Sequence, residues 1–280
     1  MRFFDRLSNG WKLAKTSLQV IESEKTLLLF PVLSTIALIS VCATFLGGGY
    51  FIFGDQLLVA ADTIEGNSTE ISPLAYVLAF AYYFVTYFII IFFNSALVHC
   101  AVQVLNGEKT SLSEGMEYAT SKLNKILLWT SIAATVGLVL KALQSNNRIG
   151  QFVAAIVGTA WSILTFFVVP VLLYEDKDVF GSIKQSGRIM REKWGESLGA
   201  NFGFGIITFL VGVGIVFFSI MLAQVNIILA IVVGIILFLI LSTVMSAAET
   251  IFLAAIYQRV NDRPTGTFNE NILDDAFVGK

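Results

Sequence analysis

Three long apolar stretches constrain this 280-residue chain more than any other feature of its sequence. They cover residues 26–104, 126–175 and 196–258, and each can cross a bilayer twice, since one crossing needs about 20 mostly apolar residues. Six segments meet that length requirement: 27–51, 74–104, 126–144, 152–174, 198–222 and 226–258. Only 14% of the residues are charged, against about 25% in soluble domains. The sequence therefore predicts an all-α, polytopic membrane bundle of six transmembrane helices in three hairpins.

A polar-faced segment precedes each apolar stretch, over residues 3–25, 111–125 and 178–194. Each segment repeats apolar residues at a spacing of three or four, which is typical of an amphipathic helix. The apolar positions of the first are Phe4, Leu7, Trp11, Ala14, Leu18 and Ile21, and those of the third are Phe180, Ile183, Gly187, Met190 and Trp194. We expect three cytoplasmic interfacial amphipathic helices. The alternative is three ordinary loops that happen to be helical.

Two local signals refine the helix boundaries. Ser111 followed by Glu114 predicts a capping box at the start of the second polar-faced helix. Pro170 lies late in the fourth span, where a proline is expected to kink a helix.

The basic residues indicate how the helices are oriented. Lys and Arg are concentrated in segments 1–25, 105–125 and 176–195, whereas segment 52–72 contains neither. By the positive-inside rule, we expect both termini in the cytoplasm. We also predict that the protein lies in the plasma membrane. Five cations on the polar faces are expected to contact anionic lipid headgroups of the cytoplasmic leaflet: Lys12, Lys15, Lys184, Arg188 and Arg191.

The alternation of interfacial helix and hairpin sets the expected domain organisation. We predict one membrane domain over residues 1–262 and a cytoplasmic C-terminal tail over 263–280. Within the domain the pattern gives three units, 3–105, 111–175 and 178–262. A parallel internal repeat would explain these units, and so would chance similarity between apolar helices, because the identities are few.

Glu249 is the strongest candidate for a chemical role, because burying an ionisable side chain in a membrane is costly and often functional. Thr250 follows it, and Asn94, Ser95 and Thr165 occupy comparable places in the other two units. We therefore predict a small polar cluster that forms a ligand or ion pathway. The alternative is structural: Glu249 hydrogen-bonds to Asn94 and holds two helices together.

Other kinds of site have little support in the sequence. His99 is the single histidine and lacks acidic residues at ligand spacing, so we expect no metal; a structural role and a proton-shuttle role both fit it. We expect no cofactor, no nucleic-acid partner and no enzymatic activity, since there is no nucleophile–base pair. The sequence favours a non-enzymatic transporter or channel component that handles a small solute or lipid. The alternative is a membrane-organising or lipid-binding scaffold without conduction. Glycine-bearing helix faces are compatible with a homo-oligomer in either case.

Several short motifs together carry a family resemblance. They are Gly10-Trp11-Lys12-Leu13-Ala14-Lys15, Leu27-Leu28-Leu29-Phe30-Pro31, Phe92-Phe93-Asn94, Trp161-Ser162 and Phe166-Phe167-Val168-Val169-Pro170. From about Gly10 to Val260 the chain resembles a prokaryotic family of six-helix integral membrane proteins of unknown function. The resemblance implies the same architecture and carries no activity. A looser likeness, of interfacial helix plus hairpin, links it to membrane domains attached to some glycerophosphodiester phosphodiesterases.

Overall fold

Helices make up the regular structure of the chain. The computed structural model describes residues 3–62, 73–146, 148–194, 203–270 and 273, and none of these residues forms a strand. The α-helices are α1 Phe3–Ser23, α2 Leu29–Asp62, α3 Pro73–Leu105, α4 Leu112–Ser121, α5 Leu123–Asn146, α6 Arg148–Thr165, α7 Val168–Tyr174, α8 Val179–Trp194, α9 Gly203–Ala223 and α10 Ile227–Val260. A 3-10 helix, Lys25–Leu28, joins α1 to α2. The predicted all-α class is confirmed.

Among the described residues, six stretches of helix are long and apolar enough to cross a membrane. They are Lys25–Phe45, Val77–Leu105, Leu123–Gln144, Arg148–Tyr174, Phe204–Ala223 and Ile227–Val260. Each overlaps one predicted span, although residues 198–202 of the fifth prediction lie outside the described residues. A helix satisfies its own backbone hydrogen bonds, which is what a segment surrounded by lipid requires. The chain is thus a multi-pass membrane protein, and the predicted hairpins and cytoplasmic termini stay predictions.

The three polar-faced segments are helical, as α1, α4 and α8. Ser111 Oγ accepts a hydrogen bond from the Glu114 backbone N–H at 3.2 Å, so Ser111 caps α4 as predicted. At α8 the Asp178 carboxylate accepts from the Gly181 N–H at 2.9 Å, which satisfies one of the free donors of the first turn. The location of these helices in the membrane interface stays a prediction.

Contacts within the chain divide it into two units. The first contains Met1–Val32, Phe93–Ser121 and Ile163–Lys280, and the second contains Leu33–Phe92 and Lys122–Ser162. In the first unit α1 packs against α9 and α10, and α7 packs against α8. In the second unit the rings of Trp129 and Trp161 stack with centroids 5.9 Å apart. The single membrane domain over 1–262 and the division into 3–105, 111–175 and 178–262 stay predictions.

A glycine allows α4 to pack closely within the first unit. A Cβ atom on Gly115 would lie only 2.6 Å from both Cys100 Sγ on α3 and Phe30 Cζ on α2. Any larger residue would therefore force these side chains apart. This close approach positions the residues that α4 contributes to the region around His99.

α10 has an outward-facing first part and a buried second part. Over residues 227–244 most side chains are exposed or half-buried, with Ala230 as the buried exception, whereas most side chains over 245–258 are buried. At roughly 1.5 Å per residue, the first part is about 27 Å long, close to the hydrocarbon thickness of about 30 Å. The first part is therefore long enough to cross the bilayer core, and the second part packs within the protein.

The fourth span is interrupted between α6 and α7. α6 ends at Thr165, Phe166 and Phe167 form a turn, and α7 begins at Val168. Pro170 has no backbone N–H, and its ring crowds the carbonyl four residues earlier, which belongs to Phe166. The span is thus interrupted just before the proline at which a kink is predicted. Within this turn the Phe167 N–H donates to Ser186 Oγ of α8 at 2.9 Å, and both residues are fully buried.

We predict that Ser186→Ala destabilises the fold, because it leaves the buried Phe167 N–H without its acceptor. The expected loss is about 1–3 kcal/mol in the free energy of unfolding, measured by SDS titration in mixed micelles. Ser162→Ala is the matched control: Ser162 is exposed, and its hydroxyl bonds to the Gly158 carbonyl of its own helix. Equal losses in the two variants would contradict a special role for Ser186.

Candidate functional site

Glu249 lies on the outer surface of the second part of α10. It is the exposed residue within positions 245–260, all of which the structure describes, and its neighbours Ala248 and Thr250 are buried. No described side chain forms a hydrogen bond or ion pair with its carboxylate. Along the helix axis it is about 7 Å beyond Val244, where the exposed apolar part ends. Glu249 therefore lies at the edge of the exposed apolar surface of α10.

The other residues of the predicted pathway have different surroundings. The Thr250 hydroxyl donates to the Ser246 carbonyl of its own helix at 2.9 Å. Ser95 is fully buried on α3, Asn94 is half-buried beside it, and Thr165 is the half-buried last residue of α6. Among the described residues no hydrogen bond joins Glu249 to Asn94. The pathway through Glu249, Thr250, Asn94, Ser95 and Thr165 stays a prediction.

The exposed face of α8 combines an aromatic side chain with three cations. Phe180, Lys184, Arg188 and Arg191 are all exposed, and their positions fall within about 80° around the helix axis. We call these four residues the α8 stripe. The opposite face is buried: Val179, Ser182, Ser186, Ile189 and Met190. α8 packs through this buried face, and Gly187 beside it approaches Leu164 of α6 so closely that a Cβ would lie 2.5 Å from Leu164 Cδ1.

α1 repeats this arrangement. Trp11, Lys12 and Lys15 are exposed and form what we call the α1 patch. The buried face consists of Leu13, Ala14, Ser17, Val20 and Ile21. Because α1 packs against the membrane spans α9 and α10, the α1 patch lies on the side directed away from them.

Trp11 and Phe180 lie on the exposed faces of their helices, whereas the sequence interpretation put both on the apolar faces. Trp11 is 59% exposed and Phe180 is 65% exposed, each next to cations. The reason is that serines join the buried faces. The Ser17 hydroxyl donates to the Leu13 carbonyl of its own helix at 3.1 Å, and Ser182 donates to the Asp178 carbonyl at 2.8 Å. A serine whose hydroxyl is bonded in this way can be buried. The buried face of each helix is therefore centred nearer to its serines than the apolar pattern predicts.

α4 differs from α1 and α8 in charge. Its ten residues include no Lys or Arg, and its exposed positions include Glu114 and Glu117. The three polar-faced helices are therefore alike in structure, but only α1 and α8 present cations.

A cluster of aromatic rings around His99 was not anticipated from the sequence. His99 on α3 stacks on Tyr118 of α4 with ring centroids 3.7 Å apart and planes within 4°, and its Nδ1 lies 3.1 Å from the Tyr174 hydroxyl oxygen. Tyr174 in turn stacks on Tyr257 of α10 at 6.1 Å, and the Tyr257 hydroxyl donates to Glu175 Oε1 at 3.4 Å. These residues are far apart along the chain, so no sequence pattern indicates that they form a cluster. The single histidine is the one hint that the sequence offers.

Contacts with two tyrosines hold the His99 side chain in place. Its ring nitrogen has a hydrogen-bond partner, and its ring face is covered by Tyr118. Tyr118 is held as well, because its hydroxyl donates to the Leu173 carbonyl at 2.8 Å. Among the described residues, no group of three or more His, Cys, Asp or Glu side chains could hold a metal ion.

Burial raises the pKa of the Tyr118 phenol above its ordinary value of 10.0. A raised pKa in the folded state means that the neutral phenol stabilises the fold below about pH 10, and that this contribution is lost as the pH rises further. The tyrosinate absorbance of Tyr118 is the difference between the absorbance of the wild type and that of Tyr118→Phe. We expect this signal to titrate at a higher pH than free tyrosine does. Titration at about pH 10 would contradict this.

Comparison with known proteins finds a match to one protein family. A model described as a family of unknown function, DUF6159, matches residues 73–267, which is more than half of the chain. No curated protein and no solved structure matches. None of these findings links the chain to glycerophosphodiester phosphodiesterases, so that likeness has no further support.

Proposed function

Because the chain belongs to this DUF6159 family of unknown function, we propose a role from its own residues: a non-enzymatic membrane protein that binds anionic lipid headgroups. The proposed contacts are Lys12 and Lys15 of the α1 patch and Lys184, Arg188 and Arg191 of the α8 stripe. In this role the protein acts as a membrane-organising or lipid-binding scaffold, with both termini in the cytoplasm, in the plasma membrane. The proposal also allows a homo-oligomer.

The observation that carries this proposal is the exposed row of three cations on α8. Lys184, Arg188 and Arg191 form no ion pair with any described carboxylate, so their charge is available to a partner. The buried face of α8 holds the helix in place, through the Ser186 hydrogen bond and by packing against α7. A fixed helix presents its cations without a large loss of conformational entropy on binding.

The proposal agrees in magnitude with general membrane electrostatics. Each basic residue near an anionic bilayer surface contributes about 1 kcal/mol, and the contribution is weakened by salt. Arginine also pairs with phosphate in a bidentate manner, which favours a phosphate-bearing headgroup at Arg188 and Arg191.

We predict that the triple variant Lys184→Gln, Arg188→Gln, Arg191→Gln weakens binding of phosphatidylglycerol by roughly ten- to a hundredfold. Native mass spectra of the detergent-solubilised protein, titrated with phosphatidylglycerol or with phosphatidylcholine, measure the affinities. Only the anionic lipid should be affected, and raising the ionic strength should reduce wild-type binding toward that of the variant.

Lys141→Gln with Arg148→Gln is the matched control, since both side chains are exposed and the positive-inside rule assigns them to the opposite side of the membrane. If the control lowers the affinity as much as the triple variant does, net charge explains the result and the site on α8 is refuted. Equal binding of the two lipids by the wild type would refute the proposal itself.

Transport of a small solute or lipid is a second candidate, favoured by the position of Glu249. Its exposed carboxylate at the edge of the lipid-facing surface has no described partner, and such a group is a functional candidate in a membrane helix. It could contact a proton, a solute or a lipid headgroup, with Thr250, Asn94, Ser95 and Thr165 as the further polar groups of the pathway.

If transport is the function, Glu249→Gln should lower flux while leaving the fold intact. Purified protein in proteoliposomes would be assayed for proton flux with an entrapped pH-sensitive dye, and for phospholipid scrambling by dithionite reduction of NBD-labelled lipid. Flux no higher than in protein-free liposomes, for both probes, would rule against transport of protons and lipids.

A further inference from the structure

We infer that Trp11 and Phe180 are membrane anchors that insert among the lipids of an anionic bilayer surface, beside the cations of the α1 patch and the α8 stripe. The inference rests on the proposed function and deepens it, because it names the bilayer itself, rather than a soluble anion, as the partner of these two faces. It also assigns the apolar part of the contact to two specific side chains.

The chain connections hold both helices at the membrane surface. Only Glu24 separates the end of α1 at Ser23 from the span that begins at Lys25. Residues 175–178 separate the end of the span Arg148–Tyr174 from α8, which limits the start of α8 to within about 18 Å of that span. Neither face can therefore move far from the lipid headgroups.

Packing determines which side of each helix is available. The apolar faces that an isolated amphipathic helix would turn toward lipid are already buried against protein, α1 on α9 and α10 and α8 on α7. α1 packs beside two spanning helices, so its opposite side points away from them, and it is there that we place the headgroup layer. The exposed aromatic rings are on this available side.

The residue types on the two faces fit a bilayer surface. Aromatic rings at the headgroup level anchor membrane proteins, and Trp is enriched there. Lys and Arg can extend their aliphatic stems along apolar surface while the charge stays with the phosphates. Trp11 precedes Lys12 and Lys15, and Phe180 precedes Lys184, so both helices combine one ring with nearby cations. The acidic exposed face of α4 has neither component and would be repelled by anionic lipid.

Fluorescence quenching in nanodiscs tests the insertion on the full-length protein. The signal of Trp11 is the difference between wild type and Trp11→Phe, and the signal at position 180 is the difference between Phe180→Trp and wild type. In nanodiscs containing phosphatidylglycerol we expect both signals to be blue-shifted, strongly quenched by lipids brominated in their acyl chains, and weakly quenched by aqueous acrylamide.

Two control variants calibrate the measurement. Phe217→Trp replaces an exposed residue in the middle of α9 and should be quenched by brominated lipid. Glu117→Trp replaces an exposed acid on α4 and should be quenched by acrylamide. If the signals at positions 11 and 180 behave like the one at position 117, the inference is wrong.

The outcome also separates this inference from the proposed function. If the triple charge variant loses phosphatidylglycerol but positions 11 and 180 are accessible only to acrylamide, headgroup binding stands and the anchors are refuted. If both positions are quenched by brominated lipid in purely zwitterionic nanodiscs, while the charge variant binds phosphatidylglycerol normally, the anchors stand and the anionic-lipid function is refuted.

Discussion

A backbone N–H or C=O inside a bilayer needs a partner within the protein, and this requirement governs the whole chain. In five of the six spans described the chain is helical throughout, and the helical backbone meets it. The fourth span breaks at Phe166 and Phe167, and there the requirement is met from outside the helix, by the hydroxyl of Ser186. α8 therefore contacts the interruption that precedes Pro170, through a serine on its buried face.

The hydropathy of the sequence was sufficient to predict the six spans, since about 20 apolar residues in succession leave few alternatives. The helical state of α1, α4 and α8, the Ser111 cap and the break near Pro170 could also be predicted, because each depends on residues close together in the chain. The orientation of α1 and α8 could not. Ser17, Ser182 and Ser186 count as polar in a sequence pattern, yet hydrogen bonds allow all three to be buried.

The candidate sites show the same limit. Glu249 was identified because it is a carboxylate in an apolar helix, but its exposure depends on which face of α10 packs against the protein. The cluster around His99 depends on residues from α3, α4, α7 and α10, up to 158 positions apart between His99 and Tyr257. No spacing rule for single helices relates such residues, because tertiary packing alone brings them together.

The chemistry of the three polar-faced helices bears on the internal repeat. If the three units were equivalent in function as well as in topology, α4 would be expected to present cations and an aromatic ring as α1 and α8 do. It presents Glu114 and Glu117 instead, while its Tyr118 is directed into the His99 cluster. α4 thus contributes to the packing of the first unit, and the proposed contact with anionic lipid involves only the other two helices. The threefold pattern is therefore one of element order along the chain, and α4 differs from α1 and α8 in the charges that it exposes.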